Sequence, residues 1–327
     1  MVPKAEPMNA RVQHTTANAT GAARSVVVLL QDLVDYAGLF PPASLGMSPA
    51  VANYDAYSRS EFAWMLGRFI VPAARLAEFG ATLLRVPGPP AEGQTRWRIS
   101  ALLGPEVATD LARIRDFANR AASVGLPIAA QIESVEAKVA SADDVLRLSE
   151  IIPGEWETYF EIPCPETGTS VARECISAAA ACGRRAKIRT GGETADKFPS
   201  PKTVIEFISL CLAASLPFKA TAGLHHPLRS QHRLTYHPGS PSGVMHGFLN
   251  VFLAAAFLRA GMERGVAAEL LDERNAEAFH FAAAEVCWRN HSLSITGIDD
   301  TRHQFATSFG SCSFTEPVGD LRSLHLL

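Results

Sequence analysis

The chain has 327 residues, 47% of them hydrophobic, and a formal net charge of −3 without long blocks of one sign. That suffices for a large core without cross-links, and the charge balance argues against nucleic acid or an anionic membrane as main partner. A small-molecule substrate is the expected partner, an anionic one included, and a homo-oligomer is compatible with the sequence.

Residues 1–24 are rich in Ala, Thr, Asn and Pro and read as a flexible N-terminal tail, leaving 25–327 for a single α/β-barrel domain. No signal-type apolar core precedes Ser25, and the apolar runs at 26–30 and 247–258 are too short to span a bilayer. Cytoplasmic is the expected placement. The six cysteines, at 164, 175, 182, 211, 287 and 312, form no Cys-x-x-Cys pair and suit reduced thiols. Cys312, flanked by Ser311 and Ser313, is expected to be the exposed one.

In chain order, strands are expected at 26–30, 69–72, 99–103, 128–133, 158–162, 186–190 and 218–223. Helices are expected between them, at 109–123, 141–150, 169–182 and 202–214. Further on, 243–260 and 266–288 read as two more helices. The eighth strand falls at 292–295 or 305–314, or else 305–327 covers one end of the fold.

Strands separated by helices read as repeated βαβ units around a parallel sheet. Buried parallel strands of an open sheet are apolar throughout, whereas four consecutive strands here alternate. Gln131 and Glu133 share a face, as do Tyr159 and Glu161, Lys187 and Arg189, and Lys219 and Thr221. A closed barrel gathers such polar faces into one lumen. The expected fold is therefore a (β/α)8 TIM-type barrel with extra C-terminal segments.

Lys187 is the leading candidate nucleophile. A lysine facing a packed lumen loses its proton more readily through desolvation and neighbouring cations, for which Arg189 and Lys219 are placed. The alternative is a buried ion pair of Lys187 with Glu161 or Glu133.

The run Ala186-Lys187-Ile188-Arg189-Thr190-Gly191-Gly192 resembles the Schiff-base strand of class I deoxyribose-phosphate aldolases. Phe218-Lys219-Ala220-Thr221-Ala222-Gly223 is similar to that family's next strand. The resemblance implies a barrel lyase in which Lys187 forms an imine, Lys219 perturbs it, and an acid on strand four, here Glu133, moves protons. The chain departs from the family after Gly223, where Leu224-His225-His226-Pro227 follows and the phosphate-binding glycines are not evident.

Nine of the ten histidines lie after residue 224. His225 and His226 fall at the end of strand seven, where one of them suits acid–base work or substrate binding. A metal site would draw on Glu161 with His225, His226 and His246. The long loop 228–245, with Arg229 and Arg233, suits a lid or an anion contact. Asp35 and Tyr36, in the loop after the first expected strand, suit the rim, and 289–291 and 308–313 are weaker candidates.

Carbonyl chemistry of the aldolase or lyase type is thus expected, with Lys187, Lys219, Glu133 and Glu161 as catalytic residues. Gln131, Arg189, Thr190, Thr221, His225, His226, Asp35 and Tyr36 are the substrate-binding candidates. No cofactor is expected, a metal ion entering only in the alternative of a metal-dependent lyase or hydrolase. The remaining alternative is a non-catalytic barrel that binds an anion through Lys187, Arg189 and Lys219.

Overall fold

A computed structural model describes residues 21–86, 97–123, 130–164, 166 and 170–327. The expected tail lies almost wholly outside these residues. Eight parallel strands close a barrel: β1 (Val34–Tyr36), β2 (Leu66–Pro72), β3 (Trp97–Leu102), β4 (Ala130–Lys138), β5 (Glu157–Glu161), β6 (Arg185–Arg189), β7 (Phe218–Thr221) and β8 (Ala306–Ser311). Each strand pairs with its sequence neighbours, and β8 closes the ring on β1 through Asp35 opposite Gly310.

The helices form where caps and apolar faces agree. Ser141 accepts a hydrogen bond from the Asp144 amide to open Ala142–Ile151, and Ser200 caps Pro201–Ala213 with proline at its first position. Helix Phe248–Arg259 is buried almost all round, which explains its lack of an amphipathic stripe. None of the described helices is long and apolar enough to cross a membrane.

Four expectations change. Residues 26–30 are not a strand but part of helix Arg24–Leu30. Val26, Leu29 and Leu30 lie one turn apart and bury one face. Packing of that face against helix Ile295–Gln304 overrides the strand preference of three successive valines. The first strand is instead Val34–Tyr36, so the two lysine strands remain sixth and seventh.

The expected helix at 266–288 stops at Asp272. Beyond it, Phe279–Phe281, Glu285–Trp288 and His291–Ser294 form an antiparallel three-stranded sheet. Alternating Val286, Trp288 and Leu293 supply its buried face. Likewise the helix expected from residue 243 begins at Phe248. Ser242–Met245 pairs with Ser230–Arg233 as a hairpin.

The change that matters most for the lumen is a bulge in β4. Ile132 lies opposite Ile99 but Ser134 lies opposite Ser100, so Glu133 is an extra residue. The face turned to the lumen switches there from odd to even positions. Gln131 and Glu133 share it below the bulge, and Ser134, Glu136 and Lys138 share it above.

Candidate active site

Two lysines stand side by side in the lumen, Lys187 of β6 in register with Lys219 of β7. Both are buried, at 4% and 0% exposure. Glu136, also fully buried, lies between them. Its Oε2 is 2.7 Å from Lys187 Nζ, and its Oε1 accepts from Lys219 Nζ at 2.7 Å and from the Ser100 hydroxyl at 2.7 Å.

Each lysine has a second carboxylate. Glu161 Oε2 is 2.9 Å from Lys187 Nζ, and its Oε1 accepts from Arg189 Nε at 3.2 Å. Asp35 Oδ2 accepts from Lys219 at 2.6 Å and from Ser308 at 2.8 Å, while its Oδ1 accepts from the Arg68 amide at 2.7 Å. A β-carbon at Gly67 would stand 2.3 Å from Asp35 Oδ1, so this carboxylate needs glycine beside it. The result is a chain of alternating sign, Arg189–Glu161–Lys187–Glu136–Lys219–Asp35, with three charges of each kind.

Burial pushes the Glu136 carboxyl up, but the two lysines outweigh it and hold the group well below the usual carboxylate range. Burial likewise lowers the Lys219 ammonium, yet Asp35 and Glu136 reverse this and raise it above the usual lysine range. Glu161 is pushed up by burial and brought below its ordinary value by Lys187 and Arg189. Lys219 and Arg189 are therefore not bare cations turned on Lys187, as expected from sequence. Each is matched by a carboxylate that also faces Lys187.

Above the lysines opens a cavity of about 660 Å³ lined by Glu136, Glu161, Lys187, Arg189, Thr221 and His225, among others. Lys138, Lys197, Leu234, Met245 and Cys312 complete much of its wall, the hairpin supplying Leu234 and Met245. The glycines after the lysine strands serve close packing, since a β-carbon at Gly191 would lie 2.8 Å from the Gly223 α-carbon.

No known family model and no curated protein matches the sequence. Among solved structures, the chain is similar to the tetrameric deoxyribose phosphate aldolase of Aeropyrum pernix, at 12% identity and a TM-score of 0.48. That match covers 93% of this chain and 99% of the other. It is also similar to the spore cortex-lytic enzyme of Bacillus cereus, at 10% identity and a TM-score of 0.39, over 90% and 74% of the two chains. Similarity at this level says nothing of the chemistry, which this chain's own side chains must carry.

Several expected site residues stand elsewhere. Glu133 binds Arg68 and Arg98 at the N-terminal end of the barrel, and Gln131, on the same stretch of β4, is exposed. Tyr36 is buried among aromatic rings, 5.4 Å from the Phe69 ring centre, and its hydroxyl accepts from Asn53. The Thr190 hydroxyl donates to the Ala222 carbonyl at 2.7 Å and ties β6 to the end of β7. Cys312 is buried rather than exposed.

The histidines also part company. His226 Nδ1 pairs with Asp320 and its ring stacks on His232, outside the cavity wall. His246 is buried between the Pro199 carbonyl and Arg229, and burial lowers it to about 4. Arg229 pairs with Asp272. Of the ligands envisaged for a metal, only Glu161 and His225 line the cavity together. Among the described residues no group of three or more His, Cys, Asp or Glu could hold a metal ion.

Sequence reasoning missed Glu136 because period-two counting from Gln131 turns it outward. Ser308 and Cys312 fall within the candidate stretch 308–313, whose place in the barrel depends on the eighth strand that the sequence leaves open.

Proposed function

We propose that the protein is a lyase-type enzyme acting on a small oxygenated carbonyl compound through an imine on Lys187. The observation that carries this is the position of the Lys187 amine, at the cavity floor between two carboxylates. An iminium bears the same single positive charge as the ammonium it replaces. Glu136 and Glu161 can therefore stabilise it without reorganisation in a site shielded from water. A neutral ligand atom in that place would leave two buried carboxylates with too little positive charge.

Glu161 is suited to move the proton, because it reaches the cavity and binds Lys187 directly. Its Oε2 lies 2.9 Å from Lys187 Nζ, so the proton that leaves the amine as substrate binds can pass to Glu161 or to water. Glu136, locked by Lys219 and Ser100, keeps its charge and holds the iminium in place. Lys219 acts through Glu136 rather than by repelling Lys187. The two lysine-bearing motifs and their resemblance to class I aldolases support the same reading.

Borohydride reduction in the presence of acetone, followed by peptide mass mapping, is the direct test. The expected outcome is an isopropyl adduct on Lys187 in the wild type and none in Lys187→Arg, which keeps the charge but cannot form an imine. An adduct confined to other lysines, or none at all, would overturn the proposal.

A further inference from the structure

We infer that His225 is a second catalytic group, a general base held by Glu316, and that it takes the proton from a substrate hydroxyl. The inference rests on the imine at Lys187 and extends it to β-hydroxy carbonyl substrates.

His225 follows β7 and lines the same cavity as Lys187. Its Nδ1 is 3.1 Å from Glu316 Oε2, on the first turn of helix Thr315–Ser323 beyond β8. Burial pushes the Glu316 carboxyl up, but His225 and the Tyr236 hydroxyl bring it below its ordinary value. An ionised carboxylate only accepts hydrogen bonds, so Nδ1 carries a proton, and in the neutral ring the lone pair is then on Nε2.

Glu316 is itself fixed. Tyr236, carried by the segment between the two hairpin strands, donates to the same Oε2 at 2.8 Å. The Ser313 hydroxyl accepts from the Glu316 amide at 3.2 Å. The arrangement is a base oriented by a carboxylate that is oriented in turn. The carboxylates at Lys187 lie beside the nitrogen of an imine. A hydroxyl on the β-carbon stands farther from that nitrogen, in the cavity whose wall includes His225.

The β-hydroxyl proton passes to His225 Nε2, and the O–H electron pair forms the new carbonyl. The carbon–carbon bond breaks, and its pair moves into an enamine as the iminium nitrogen accepts the π electrons. The imidazolium so formed is stabilised by Glu316 and gives its proton to water at the cavity mouth.

The test compares wild type, His225→Gln, His225→Ala and Glu316→Gln on two probes. Acetone with borohydride reports the imine alone, and cleavage of diacetone alcohol to acetone reports both groups. Expected are unchanged Lys187 labelling in all four and a fall in cleavage of about a hundredfold or more in His225→Gln. In Glu316→Gln kcat falls with KM unchanged, and added imidazole partly restores His225→Ala. Wild-type cleavage rates in His225→Gln, or labelling without cleavage in the wild type, would overturn the role of His225. Loss of labelling in the wild type would instead remove the imine, and this inference with it.

Discussion

The ion-pair clusters at the two ends of the barrel lumen each join three cations to three carboxylates and use them differently. At the N-terminal end, Arg68, Arg98 and Arg185 meet Asp32, Glu133 and Glu157. At the other end, Arg189, Lys187 and Lys219 meet Glu161, Glu136 and Asp35. The strands are shared: β4 gives Glu133 below and Glu136 above, β5 gives Glu157 and Glu161, β6 gives Arg185 and Lys187. What differs is the cation and its access to water. Guanidinium groups keep their protons and accept two carboxylates in a planar fork, which suits a structural clasp. Amines can give up a proton and form a bond to carbon. Glu133 and Glu157 have side chains 28% and 35% exposed, against 1% for Glu136. Charges kept from water are costly unless matched, so the upper cluster is the one whose members depend on one another.

Glu136→Gln should break that dependence most visibly. It removes the carboxylate shared by two buried ammonium groups and leaves three cations, Arg189, Lys187 and Lys219, with two carboxylates, Glu161 and Asp35. The expected loss is about 3 kcal/mol, read as a lower urea midpoint at an unchanged slope. A loss of a few tenths would mean that the cluster is hydrated and resembles the lower one.

Acidification sharpens the comparison more gently. The folded Glu136 carboxyl titrates below its ordinary value of 4.5. Its contribution is therefore complete above that value and is lost as pH falls toward the folded-state pKa. Buried His246 adds to the same trend, because its stabilisation is complete above 6.5 and fades as pH falls through about 4. Thermal melts from neutral to acidic pH should show stability falling on the acid side, with less of a fall in Glu136→Gln. Equal slopes in the two proteins would remove Glu136 from the account.

The smallest effect is expected at the lower end. Glu133→Gln removes a partly exposed carboxylate shared by Arg68 and Arg98, both of which keep another acid. The cost should stay near about 1 kcal/mol or less, and acetone labelling of Lys187 should be unchanged. Loss of labelling there would restore Glu133 to the catalytic role that its place on strand four suggests.

The sequence by itself determined the barrel and the two lysine strands. Polar residues at every second position on β5, β6 and β7 give each strand one polar face, and a closed ring gathers those faces into a lumen while the helices cover the apolar ones. The sequence could not show which glutamate of β4 meets the lysines. A single extra residue at Glu133 reverses the side-chain phase, and no local preference marks it. Nor could it place β1, where three residues suffice for a strand while the longer valine run becomes a helix against its neighbour. The Glu136 bridge and the His225–Glu316 pair join segments 83 and 91 residues apart. Such contacts exist only once the ring has closed, because closure sets the register of each strand and brings the last helix over the lumen.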